Sequence, residues 1–447
     1  MYAPNYDYWG TGAICFRLPG YPFVVKSGPM SAMTGKVFIA RVFEEMYELG
    51  YDFVTCSDLS RTRDQGNLFF KKAPGNPRRR RNAILCVAPG GTDKIFLTSC
   101  PDGVNRAITI AIGQAWPNGI QSEYINRIQT SLTTTTTWKL NETPWKRVWG
   151  AESVDCRILI MSIMEHLEKI NWRFHAIANI EGELDALFFM NDPESATSGK
   201  LSMLSLNRAN RLRLINFSNN PGIVEAVTQS LKKTNGHRPT VKNYHGSTEF
   251  KVSGKPFCST GYESIACREM ITGLLEVLRQ NGYEVLTGID VSSKANDKSS
   301  ILFRKCVQST NRHACISLNS ANKVRIINFP TEVSFLLSHV INQHYLPGII
   351  KHESRWQIKR KSSKTPCHQI KLEGSPWNSD AISNSIHAKS MLTMLLKEAH
   401  KLNWELVASL DLSGKYVTQG FGLTKSVKKK SVDVHAWFFR KSKRFCD

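Results

Sequence analysis

The chain has 447 residues, 59 of them Lys or Arg and 37 Asp or Glu, for a formal net charge of +22; 41% are hydrophobic and 10% aromatic, which supports ordinary cores and excludes wholesale disorder. No apolar run reaches the roughly 18–20 residues of a membrane-spanning helix. Met1 to Gly12 has neither a basic start nor an apolar stretch, so no secretory signal is expected.

A short pattern recurs four times: apolar, basic, apolar, three variable residues, Pro, aromatic. It reads Phe16–Phe23, Trp138–Trp145, Phe250–Phe257 and Ile370–Trp377, and its prolines are spaced by 122, 112 and 120 residues. In unit one, residues 1–120, it precedes an amphipathic helix with Ile39, Val42, Phe43 and Met46 on one face. A stop at Gly50-Tyr51 leads into a strand at Asp52–Val54, a second at Leu68–Phe70, and a hairpin of Ile84–Val87 with Lys94–Leu97. A closing helix buries Val104, Ala107, Ile108, Ala111 and Ile112.

Unit two, residues 121–236, repeats the order. Its helix carries Ile160, Ile163, Met164 and Leu167, and its stop is Asn171-Trp172. Strands follow at Arg173–His175 and Leu187–Phe189, then a hairpin arm at Arg211–Phe217 and a helix opened by Asn220-Pro221. Unit three, residues 237–350, has Ile271, Leu274, Leu275 and Leu278, the stop Gly282-Tyr283, strands at Glu284–Leu286 and Ile301–Phe303, and a hairpin of Ala314–Leu318 with Lys323–Phe329. Val333, Leu336, Leu337, Val340 and Ile341 form its closing helix. Unit four, residues 351–447, has Met391, Met394, Leu395, Ala399 and Leu402, the stop Asn403-Trp404, and strands at Glu405–Val407 and Trp437–Phe439. It ends before any hairpin. Trp116–Gly119, Thr133–Thr137, Asn235–Pro239 and Leu346–Gly348 read as turns and linkers between units.

The expected fold is therefore α+β. It is a tandem array of strand–helix–four strands–helix units, each an antiparallel sheet with two helices on one face, in three full copies and a truncated fourth. In element order alone, the unit resembles the half-repeat of the TATA-box-binding protein family. A truncated fourth sheet would present an open edge, so a homodimer through unit four is expected.

Strand alternation places Arg17, Lys139, Lys251 and Lys371 between apolar neighbours, and Arg211 with Arg213 and Lys323 with Arg325 likewise on hairpin arms. On an open sheet face these residues would form an anion-binding surface. Basic runs add to it: Arg78, Arg79, Arg80 and Arg81; Lys359, Arg360 and Lys361; Lys428, Lys429 and Lys430; and the tail Arg440–Arg444. Such runs suit phosphates, through charge neutralisation and counterion release, and equally suit acidic lipid headgroups.

The 11 cysteines are an odd number, scattered singly, with no Cys-x-x-Cys pair, and several sit in apolar runs such as Ile84–Val87. This suggests a reducing, cytoplasmic or nuclear setting. Gly-x-x-x-x-Gly-Lys-Ser/Thr, Gly-x-Ser-x-Gly and His-Glu-x-x-His are absent. No catalytic, metal-ligating or cofactor-binding set is expected. The residues together point to a non-enzymatic binding protein for a polyanion, foremost nucleic acid. Peripheral binding to acidic membranes and a scaffold for protein partners stay open beside it.

Overall fold

The computed structural model describes residues 6–9, 13–18, 22–23, 29–59, 66–75, 79, 81–99, 101, 103–128, 133–146, 150–180, 184–194, 199–217, 221–292, 298–353, 367–377, 382–412, 416–419, 428–431 and 434–442. The chain divides into two compact units. One comprises residues 1–56, 65–199 and 291–294, the other residues 57–64, 200–290 and 295–447.

In the first unit β1 (Tyr6–Trp9) and β2 (Ala13–Phe16) form a two-stranded ladder, followed by helix α1 (Pro29–Glu48) and a second ladder of β3 (Tyr51–Ser57) and β4 (Asn67–Lys72). A complete domain follows: β5 (Ile84–Gly90), β6 (Lys94–Thr98), α2 (Val104–Ala115), β7 (Ile120–Ile128), β8 (Thr133–Leu140), α3 (Glu152–Lys169), β9 (Trp172–Asn179) and β10 (Asp185–Asn191). Its six strands pair antiparallel in the order β7-β8-β6-β5-β10-β9, with the first hairpin at the centre.

The second unit holds two more domains of the same order. Domain two is β11 (Leu201–Asn207), β12 (Arg211–Ile215), α4 (Pro221–Asn235), β13 (Thr240–Tyr244), β14 (Ser247–Lys251), α5 (Gly261–Gln280), β15 (Tyr283–Ile289) and β16 (Ser300–Lys305). Domain three is β17 (His313–Asn319), β18 (Lys323–Ile327), α6 (Thr331–His344), β19 (Ile349–Glu353), β20 (Cys367–Leu372), α7 (Ile382–Lys401) and β21 (Trp404–Leu410), then an added ladder of β22 (Tyr416–Gln419) and β23 (Lys428–Ser431), and finally β24 (Ala436–Lys441). The sheets run β13-β14-β12-β11-β16-β15 and β19-β20-β18-β17-β24-β21.

Tandem α+β repeats are thus present, but the frame differs from the sequence reading. A domain is three hairpins separated by two helices, and each sheet joins the hairpin ending one sequence unit to the strands of the next. The fourth unit is not truncated: β24 pairs with β17 on one side and β21 on the other. The homodimer expected through its open edge loses its premise. Residues 6–72 hold a further second and third hairpin with the second helix between them. A periodic sequence looks the same from any starting point, and only long-range strand pairing sets the frame. The strand missed in each copy is β7, β13 or β19, an outer strand, and Thr133–Thr137 belongs to β8 rather than to a linker. With these strands added, the element order departs from the TATA-box-binding half-repeat.

The local signals act as read. The second helix of every copy ends beside a left-handed residue: Gly50 at φ 81°, Asn171 at 66°, Gly282 at 81° and Asn403 at 59°. The aromatics that follow at 172, 283 and 404 are buried. The Pro-aromatic motif has a clear task. The backbone N–H groups of Trp145, Phe257 and Trp377 bond to the hairpin-turn carbonyls of Thr92, Ala209 and Ala321 (3.3, 3.0 and 3.0 Å). The indole N–H groups of Trp145 and Trp377 bond to the carbonyls of Lys94 and Lys323 (2.8 and 3.2 Å). All three rings are fully buried, so the motif locks the first hairpin onto the strand before α3, α5 or α7.

Helices α4 and α5 cover one face of their sheet, meeting closely where Gly273 faces Ser230 and Thr234. The opposite face of the following sheet is covered as well. α5 lies across β17 and β18, Arg268 Nε bonds to Ser317 Oγ at 3.1 Å, and Glu276 Oε1 accepts the His313 backbone N–H at 2.8 Å. In the first unit α1 lies across β5 and β6 in the same way, with Glu44 Oε1 accepting the Ile84 N–H at 2.9 Å. Sheets covered on both sides explain why β5 and β17 are buried at every position.

Candidate polyanion interface

The basic residues expected on an open face divide into two groups. Arg213 and Arg325 are buried, because this face is a packed one. Arg325 donates to Gln369 Oε1 (2.7 Å) and to Ser264 Oγ and Gly261 O of α5 (2.7 and 3.2 Å). Arg213 donates to Glu249 Oε2 at 2.8 Å and stacks 3.7 Å from the Tyr244 ring centroid. Arg211 pairs with Glu249 Oε1 at 2.5 Å. Burial pushes the Glu249 carboxyl up, but the hydrogen bonds and charges of Arg213 and Arg211 overcome this and hold it below its ordinary range.

Arg79 and Arg81 are also committed within the fold. Arg79 pairs with Asp52 at 2.6 Å over the Tyr47 ring, and Arg81 pairs with Glu45 at 2.7 Å and Glu44 at 3.3 Å. These arginines are engaged in ion pairs within the fold. Arg78, Arg80, Lys359, Arg360 and Lys361 lie outside the described residues, as do the side chains of Lys428, Lys429 and Lys430 on β23.

The second group lies one step nearer the hairpin turn. Lys94 is directly opposite Lys139, Arg211 opposite Lys251, and Lys323 opposite Lys371, which also faces Lys351. Each sheet thus carries a cation–cation neighbour at the same place. Lys251 and Lys351 are exposed, and Lys94, Lys139, Lys323 and Lys371 are half-buried. Like charges directly opposite on a sheet are destabilising. Lys94 and Lys351 escaped the sequence reading. Lys94 was detectable, since it opens the second hairpin arm just as Arg211 and Lys323 do.

Just inside each cation pair is a row of three residues from adjacent strands. It is Phe96, Thr137 and Tyr124 in domain one; Arg213, Glu249 and Lys242 in domain two; Arg325, Gln369 and Glu353 in domain three. Gln369 Nε2 donates to Glu353 Oε2 at 2.7 Å, so in domain three the amide links guanidinium and carboxylate.

The most enzyme-like cluster is Ser409 Oγ, 2.9 Å from His435 Nδ1 and 3.0 Å from Ser57 Oγ. Burial lowers the His435 pKa to about 4, and Trp437 Nε1 donates to Ser57 Oγ at 2.9 Å. A weak base and an engaged serine make this a structural network. Among the described residues no three His, Cys, Asp or Glu side chains gather as metal ligands. A cavity of about 50 Å³ between Thr234, Lys255, Glu263 and Met270 is too small for a metabolite. No described helix is long and apolar enough to cross a membrane.

Comparison with curated proteins and with solved structures finds no match. One domain-family model matches the chain three times, over residues 83–191, 200–304 and 312–440. These limits coincide to within one residue with β5–β10, β11–β16 and β17–β24, so the sequence family and the six-stranded sheets define the same domain. The chain belongs to that family, carrying three of its domains in tandem.

Proposed function

We propose that this is a non-enzymatic tandem-domain protein that binds a polyanion, nucleic acid in the first place, through the cation pairs Lys94·Lys139, Arg211·Lys251 and Lys323·Lys371·Lys351. The observation that carries this reading is their recurrence at one position in all three sheets. Carboxylates answer Arg211 and Lys351 within the fold, and an anion bound at these positions would offset the like-charge repulsion that is left. The net charge of +22 supports the same reading. Short single- and double-stranded oligonucleotides titrated at about 50 and 200 mM salt test it, because neutralised phosphates make affinity fall steeply with salt. The triple variant Lys139→Glu, Lys251→Glu, Lys371→Glu is expected to flatten that slope by roughly three phosphates' worth. Affinity that is absent at 50 mM, or that the triple variant leaves intact, refutes the reading. Binding to vesicles of acidic lipid without binding to oligonucleotides would transfer the site to a membrane surface.

A further inference from the structure

Domain three carries a histidine pair that the other two domains lack. Strand β19 has an extra residue at Ile350, where its pairing with β20 shifts register: Ile349 lies opposite Leu372, but Lys351 lies opposite Lys371. A bulge of this kind re-aims the side chains beyond it. Here it sets His352 opposite Ile370, on the same face as His368, which lies two residues earlier on β20. The two imidazole rings have centroids 5.8 Å apart and planes tilted by 50°. The cation pairs and the row of Arg325, Gln369 and Glu353 lie on the opposite face, so the pair stands apart from the polyanion reading.

The fold does not need imidazoles at these positions. The place of His352 is taken by Glu123 in domain one, opposite Trp138, and by Val241 in domain two, opposite Phe250. The place of His368 is taken by Thr136 and Thr248. In domain three the exchange leaves an orphan, because His368 Nε2 is shielded from solvent and has no hydrogen-bond partner. Buried polar atoms are nearly always satisfied, and an orphan of this kind marks the place of a missing partner. His352 is exposed on an outer strand, so that partner can arrive from the β19 side.

The spacing of the rings suits a shared metal ion. An imidazole nitrogen binds zinc at about 2.0–2.1 Å, which puts the ion about 3.2 Å from the ring centroid. Two rings sharing one ion at a tetrahedral or somewhat wider angle then have centroids about 5–6 Å apart. We propose that His352 and His368 form a two-histidine site for a divalent transition-metal ion of the imidazole-binding class, zinc foremost. Zinc has no geometric preference of its own and accepts the angle that the two strands impose. Among the described residues no third His, Cys, Asp or Glu joins the pair. Water or an exchangeable ligand fills the remaining positions, which makes this an open site rather than a closed structural centre.

The test titrates the full chain with zinc ion in metal-free buffer and follows hydrogen exchange, which locates the binding. Micromolar zinc is expected to slow exchange roughly fivefold or more in both Ile349–Glu353 and Cys367–Leu372. His352→Val and His368→Thr introduce the residues that domain two carries, so each is compatible with the fold. Each is expected to weaken zinc binding at this hairpin by about tenfold or more. Zinc that protects neither strand overturns the proposal, and so does protection that both variants keep. Protection that needs millimolar zinc also overturns it, by making the pair an adventitious ligand only.

Discussion

Replacing Glu249 with Gln puts the amide of domain three into the row of domain two. Glu249 is completely buried and answers two arginines, Arg213 at 2.8 Å and Arg211 at 2.5 Å, with Lys242 Nζ at 3.6 Å. Breaking a buried pair leaves an uncompensated charge and costs about 3–5 kcal/mol. Gln keeps one acceptor, and Arg213 retains the Tyr244 ring and Asn207 Oδ1, so the expected loss is about 2–3 kcal/mol, below that range. Lys242→Glu alone is expected to cost about 1 kcal/mol, because it replaces a long ion pair, exposed on the lysine side only, with a like charge directly opposite Glu249. The double variant recreates the Arg–Gln–Glu order of domain three, where the amide bonds both neighbours at 2.7 Å. It is expected to recover about 1–2 kcal/mol relative to the sum of the singles. A multidomain chain does not unfold in two states, so the readout is native-state hydrogen exchange at the Leu212 and Phe250 amides, compared across the four variants. Strictly additive effects would refute the row as a coupled unit.

Three further outcomes follow from the same geometry. Lys139→Glu and Lys371→Glu are each expected to raise local stability by about 0.2–1 kcal/mol, read as slower native-state hydrogen exchange in β6 and β18, since each turns a repulsive cross-strand pair into an attractive one; faster exchange there would contradict the cost assigned to the cation pairs. Burial lowers the pKa values of His175, His313 and His435 to about 4, with Arg440 and Arg279 adding to the effect at His313. The unfolded chain then binds more protons between about pH 6.5 and 4, so stability is complete above pH 6.5 and falls as pH drops through that window, by roughly 3 kcal/mol per histidine at the limit; a flat denaturation midpoint from pH 7 to 4 would refute this. Glu276→Ala removes the acceptor of the His313 N–H and is expected to cost about 1–3 kcal/mol, seen as faster exchange at the start of β17, whereas unchanged exchange there would show that water replaces the carboxylate.

What could be read from the sequence was local. The faces of α1, α3, α5 and α7, their left-handed stops and the Pro-aromatic plug each depend on residues close in sequence. The frame of the repeat depends on pairings such as Leu187 with Val87 and Phe438 with Cys315, which no local pattern encodes. Strands β13 and β19 escaped notice because they are mostly exposed, as in Thr240–Tyr244, and lack the apolar alternation that marks a half-buried strand. The open basic face was an error of the same origin. Arg213 and Arg325 look solvent-facing from alternation alone, yet the helix from the preceding copy lies over the face that holds Arg325. A hint was available in Leu201–Asn207 and His313–Asn319, which carry no Lys, Arg, Asp or Glu, as suits strands buried on both faces.

The helices seen on the far side of a sheet precede that sheet in the chain, as α1 precedes β5 and α5 precedes β17. On the ribosome, the apolar underside of a new sheet therefore meets a helix that has already emerged. Chains fold from the N-terminus as they are made, and here each finished segment serves as the template on which the next one closes. Glu44 and Glu276 accept the first amide of the hairpin that follows them onto the helix.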